Sequence, residues 1–127
     1  TGTIPEELFK DMVNLECAYG VFYNCRGLYG KIPSDLFSYN YKIRYCNDAL
    51  HNCFGLVGNI PETMLTHPEG YIHEALEDIS NLFKMDLGIT KPDGVDTYES
   101  GLNGNTFPVN LLLTTPNIKD CSGLFNI

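Results

Sequence analysis

The chain of 127 residues has no tryptophan, only eight lysines and arginines, and no long apolar run. Each shortage removes a class of function. Eight scattered basic residues against sixteen acidic ones, a formal charge of −8 and a pI near 4.6 cannot neutralise a phosphate backbone, so nucleic acid is not an expected partner. The longest compact apolar stretch, at Val109 to Leu113, is strand-sized and far below the roughly 18 to 20 residues of a membrane helix, so no membrane insertion is expected within this segment. The five cysteines, Cys17, Cys25, Cys46, Cys53 and Cys121, include no C-x-x-C pair, which argues against a structural zinc. Their odd number leaves at least one thiol unpaired, and a disulfide between Cys17 and Cys46, 29 residues apart, is conceivable in an oxidising setting.

What the sequence does contain is an internal repeat. FYNCRGLYGKIPSDLF at Phe22 to Phe37 is nearly rewritten as LHNCFGLVGNIPETML at Leu50 to Leu65, a period of 28. Gly2, Gly30 and Gly58 keep that period, as do Ile4, Ile32 and Ile60, and Pro5, Pro33 and Pro61. The reading is one domain of units 2–29, 30–57 and a degenerate 58–87, then an irregular insertion at 88–117, rich in Gly, Asp, Ser and Asn. A further degenerate unit begins at 118–127. Asp78 to Phe83 overlays Ala49 to Phe54 after a one-residue insertion, and Ile118-x-x-Cys121 aligns with Phe22-x-x-Cys25. Because the chain starts inside a repeat and without methionine, it is expected to be a piece of a longer protein.

Each repeated position has a physical reading. The alternation in Leu28-x-Gly30-x-Ile32 points leucine and isoleucine to one side of an extended segment, with the glycines lined up from unit to unit. Pro33 suits the first turn of a short helix, and 47–52 allow a second helical turn that ends at a small buried cysteine. One such coil cannot bury its apolar edge alone, so neighbours must stack.

With these residues in view, Phe22-x-x-Cys25-x-x-Leu28-x-x-x-Ile32-Pro33 and Leu50-x-x-Cys53-x-x-Leu56-x-x-x-Ile60-Pro61 resemble the BspA-like class of leucine-rich repeats. The resemblance implies an α/β fold, a leucine-rich-repeat solenoid of 28-residue units, each a short parallel strand with short helical turns. It also implies an extracellular or bacterial cell-surface location. The role implied is a noncatalytic binding or adhesion module for a protein or glycan on host or neighbouring cells. The alternatives are a structural spacer or an accessory domain of a larger secreted enzyme.

No residue pair asks for catalysis, a cofactor or a metal. His51 lies two residues before Cys53, but the cysteine already has a repeat position. His73-Glu74-x-x-Glu77 lacks the second histidine of H-E-x-x-H and reads as a solvated acidic helix face; Asp93 to Asp96 reads as a turn. Candidate partner-binding residues are those that differ between units at like positions: Tyr23 and His51, Phe54 opposite Arg26, Tyr29 and Val57, Lys31 and Asn59. The tyrosines, including Tyr39, Tyr41, Tyr45 and Tyr71, offer large amphipathic contact area.

Overall fold

The computed structural model describes residues 2–104 and 108–127; Thr1 and residues 105–107, the latter within the expected insertion, lie outside the described residues. Three short strands, β1 (Gly30–Lys31), β2 (Leu56–Gly58) and β3 (Gly101–Leu102), form one parallel sheet in the order β1-β2-β3. Gly2 extends it on the near side through a parallel bridge to Leu28. A second row of parallel bridges runs Cys17 to Tyr45 to Asp78 to Asp120. The described residues therefore wind through four successive coils, 2–27, 28–55, 56–100 and 101–127, each parallel to the next.

The expected α/β leucine-rich-repeat solenoid with helical turns is not what the chain forms. Among the described residues there is no helix, and strand is confined to the three short elements. The reason lies in where the backbone N–H groups go. Along 18–25 they alternate: Ala18, Gly20, Phe22 and Asn24 donate to the carbonyls of Tyr45, Asn47, Ala49 and His51 in the next coil, while Val21, Tyr23 and Cys25 donate three residues back. The same alternation recurs in the second coil, where Cys46, Asp48, Leu50 and Asn52 reach Asp78, Ser80, Leu82 and Lys84. A helix would need each of these N–H groups for its own i−4 carbonyl. Successive β-turns release half of them to bond sideways.

Those turns require residues that tolerate a left-handed backbone. Gly20 (φ 59°), Asp48 (φ 58°), Asn81 (φ 56°) and Gly123 (φ 70°) occupy equivalent places in the four coils. Glycine, Asn and Asp are the residues that visit this region at least cost. Asn24 and Asn52, 28 residues apart, do the same one turn later. A helix over 47–52 is thereby broken at two points.

The core lies between the two bridge rows. Ile32, Leu36, Phe37, Leu50, Leu56, Ile60, Met64, Leu76, Ile79, Leu82 and Phe83 are buried in it, which agrees with the expectation for Ile32 and Leu56. Phe9 stacks on Phe37 at 5.7 Å, and Phe83 on Phe125 at 6.2 Å. The glycines do not line up residue on residue: Gly2 pairs with Leu28, Gly30 with Leu56 and Gly58 with Leu102, a stagger of two that sets each glycine beside the next coil's leucine. Gly101–Leu102, inside the segment 88–117, thus stands where Leu28 and Leu56 stand in earlier coils.

The bridge row also fixes the later alignment. Tyr45 opposite Asp78 brings Asp78 to Phe83 onto Tyr45 to Leu50 rather than Ala49 to Phe54. Asp120 opposite Asp78 places Cys121 in line with Cys46, and Cys121 is exposed. The third and fourth coils share Asp-x-Ser, in which Asp78 Oδ1 accepts from Ser80 N–H and Oγ (2.9 and 2.7 Å), and Asp120 Oδ1 from those of Ser122 (3.0 and 2.7 Å).

Candidate binding face

The outward face of the sheet follows from strand alternation. With Leu56 and Ile60 pointing into the core, Val57 and Asn59 point out, and with Ile32 inside, Tyr29 and Lys31 point out. All four are exposed. Lys31 pairs with Val57 in register, and its aliphatic stem lies over Gly58, whose missing side chain leaves the seat. Asn59 Oδ1 accepts from Asn103 Nδ2 at 2.8 Å, so the row continues onto the fourth coil. Gly101 follows Val57 in the register, and a Cβ there would meet Val57 Cγ1 at 2.7 Å. The result is a narrow surface with one aromatic ring, one cation, one branched apolar group and one amide.

The other three sequence candidates sit elsewhere. Tyr23 is exposed, but its ring meets His51 edge-on at 4.9 Å. His51 is buried and spans two coils: Nδ1 lies 2.7 Å from Asp48 Oδ1 and Nε2 3.1 Å from Asp86 Oδ1. Asn52 holds Asp86 from the side, donating from Nδ2 to Oδ2 at 3.0 Å and accepting the Asp86 N–H at 2.8 Å. These hydrogen bonds, that of Asn52 first and His51 next, keep the Asp86 carboxyl below its ordinary range. Phe54 is also buried, stacked on Tyr98 at 5.0 Å with Arg26 5.3 Å over the far ring. Both His51 and Phe54 face neighbouring coils, so they hold the stack together and leave little surface for a partner.

A second aromatic group gathers at the other bend. Tyr41 and Tyr71 stack at 4.9 Å, and His67 stands edge-on to Tyr39, Tyr41 and Tyr71 at 5.7, 5.8 and 4.9 Å. Sequence reasoning named the tyrosines and missed His67, although Tyr39 and His67 keep the 28-residue period. Beside them a groove of about 670 Å³ is lined by Asn14, Glu16, Tyr41, Lys42, Arg44 and Glu74, among others.

The chemistry weighed in the sequence resolves structurally. Cys53 is buried, its thiol donates to the Phe22 carbonyl at 2.9 Å, and burial pushes it up to about 12; burial raises Cys46 as well. Neither offers a thiolate at neutral pH. Cys25 is half-buried, and Cys17, like all five cysteines, is free, as is its conceivable partner Cys46. His73 is not on a solvated helix face. It is buried, with Nε2 2.8 Å from the Phe37 carbonyl, and Glu77 pairs instead with Arg44 at 3.4 Å. Asp93 closes a turn by accepting the Val95 N–H at 3.0 Å. Among the described residues no group of three or more His, Cys, Asp or Glu is placed to hold a metal ion.

No known family, curated protein or solved structure matches the chain.

Proposed function

We propose that the chain is a noncatalytic binding module that engages a protein or glycan at a cell surface through the outward face of β1 and β2. The observation that carries this reading is the register row itself. Lys31 and Val57 are exposed side by side in register, and Tyr29 and Asn59 are exposed two residues along the chain from them, at positions where the repeat leaves the residue type free, above the buried Ile32, Leu56 and Ile60. Backbone pairing holds such a row in place, so its side chains can be varied without disturbing the fold. Tyrosine and a cation beside an apolar group suit contact with a polar partner that presents flat or anionic surface. The resemblance of the repeat to BspA-like proteins supports an extracellular or bacterial cell-surface setting.

The test is binding of the immobilised chain to a printed glycan array and to a panel of purified matrix and cell-surface proteins. Tyr29→Ala with Val57→Ser is expected to weaken any hit by about tenfold or more, with an unchanged unfolding midpoint. Binding that survives removal of all four side chains, or no binding to any probe, overturns the reading.

A further inference from the structure

On the side of the second bridge row, away from β1 and β2, the groove of about 670 Å³ crosses three successive coils. Asn14 and Glu16 come from the first, Tyr41, Lys42 and Arg44 from the second, and Ile72, Glu74 and Ala75 from the third. A second hollow of about 530 Å³ shares Arg44, Glu74 and Ala75 with it and carries it on to Asn117 and Lys119. The two form one channel that runs along the outer edge of the stack. The backbone beneath is committed from coil to coil: the Glu16 carbonyl accepts the N–H groups of Arg44 and Tyr45, and the Arg44 carbonyl those of Glu77 and Asp78. A peptide laid in the channel would therefore find no strand edge to pair with among the described residues, and recognition falls to side chains.

Those side chains combine hydrogen-bonding capacity of both kinds with no net charge. Glu16 and Glu74 are exposed, and neither carboxylate has a hydrogen bond or an ion pair among the described residues. Arg44 commits one nitrogen to Glu77 at 3.4 Å and keeps the other donors of its fork. Lys42 donates to Asn14 Oδ1 at 3.0 Å, which leaves the Asn14 Nδ2 donors free. Along the channel the cations Lys42, Arg44 and Lys119 stand against the carboxylates of Glu16, Glu74 and Glu77, in a chain whose overall charge is −8.

Tyr41 gives the groove an aromatic wall. Its ring is fixed by the stack on Tyr71 at 4.9 Å and by the edge of His67 at 5.8 Å, with the Lys42 ammonium 5.9 Å over it. A ring held in this way offers flat apolar contact at little entropic cost and ends in a hydroxyl. Ile72, itself exposed, and Ala75 add a small apolar floor. A sugar chain fits this set: its hydroxyls both donate and accept, its C–H faces lie on aromatic rings, and it carries no charge for the balanced channel to oppose. The coils repeat about every 4.8 Å, close to the length of one sugar ring in an extended chain.

We propose that this channel is a binding site for a neutral oligosaccharide lying along the stack, with Tyr41 against one ring and Glu16, Arg44 and Glu74 bonding hydroxyls of consecutive units. The site is separate from the face of β1 and β2 and does not rest on the function proposed for that face.

Two-dimensional NMR of the isotope-labelled chain, titrated with cellohexaose, maltohexaose, mannohexaose and chitohexaose, tests this. The expected result is saturable shifts at the amides of Tyr41, Lys42, Arg44 and Ala75 with at least one of these sugars, while those of Lys31 and Val57 stay still. The affinity is expected to be the same in low and high salt. Tyr41→Ala is expected to weaken binding by about tenfold. Because that change also loosens the rings of Tyr71 and His67, Glu74→Ala is the second variant. Its carboxylate holds nothing in the fold, so an unchanged unfolding midpoint is expected together with binding weakened by about tenfold. The protein carrying Tyr29→Ala and Val57→Ser is expected to bind the same hexasaccharide as well as the unaltered chain does. No saturable shift with any of the sugars, shifts centred on Lys31 and Val57, affinity that falls steeply with salt, or affinity indifferent to both groove variants overturns the proposal.

Discussion

His73 shows how one residue's environment reverses its expected role. Burial disfavours its charged form and holds its pKa below the ordinary 6.5, with nearby His67 acting in the same sense and the Phe37 carbonyl opposing. The unfolded chain therefore takes up a proton, at pH values below its own pKa, that the folded chain resists. The stability this residue contributes is fully present above about pH 6.5 and is lost as the pH falls from there toward the folded pKa. Acidification from about pH 8 to about pH 5.5 is thus expected to lower the unfolding midpoint, and His73→Gln is expected to remove much of that slope while keeping an amide donor for Phe37. Equal slopes in the two proteins would contradict it. Asp86 works in a separate, lower window. Its depressed pKa gives stability that is present above its ordinary 3.8 and lost as the pH falls through the lower folded value.

At the scale of an element, the turns decide the fold, and two places make this measurable. Asp48 has a left-handed backbone, which costs a side chain branched at Cβ about 1 to 2 kcal/mol more than it costs glycine. Both Asp48→Gly and Asp48→Val lose the carboxylate contact to His51, so their difference in urea unfolding isolates the backbone and is expected to fall in that range. Gly55, at the end of the second coil, lies against the start of that coil: a Cβ there would run into the Leu28 carbonyl oxygen. Gly55→Ala is accordingly expected to cost about 1 to 3 kcal/mol through a forced shift of backbone. The cavity left by Ile32→Ala is expected to cost about 2 to 5 kcal/mol, and a loss well below 1 kcal/mol in urea would contradict its burial.

These residues also show what was legible in the sequence. The 28-residue period, the buried Ile32, Leu56 and Cys53, and the outward Tyr29, Lys31, Val57 and Asn59 could all be read, because period and alternation act through burial alone. The helical turns were misread because Pro33 and the run at 47–52 are compatible with either a helix or a chain of turns. The deciding fact is the inter-coil hydrogen bond, which no local pattern encodes. One local signal did exist. Gly20, Asp48, Asn81 and Gly123 are the residue types that a left-handed turn selects, but the longer third coil shifts Asn81 and Gly123 out of the 28-residue frame. His51 and Phe54 looked like variable surface positions, since nothing in the sequence places Asp86 or Tyr98 beside them.

At the scale of the whole molecule, each coil touches only its neighbours, so stability should grade along the stack rather than appear as one number. The N–H groups of Cys46, Asp48, Leu50 and Asn52 sit in the second coil, covered by a coil on each side. Those of Ala18, Gly20, Phe22 and Asn24 bond inward too, but among the described residues the first coil is covered on one side only, with Tyr19, Val21 and Tyr23 exposed. Asn40 helps to hold that coil, donating from Nδ2 to the carbonyls of Phe9 and Met12 at 3.0 Å each. Native-state hydrogen exchange should show the second-coil amides slowest and the first-coil amides faster. Asn40→Ala removes both of its donor contacts, so it should speed exchange in the first coil while leaving the Ile79 and Asn81 amides of the third coil nearly unchanged. Uniform acceleration across all coils would mean that the stack opens as a single cooperative unit, and the nearest-neighbour account of its stability would fail.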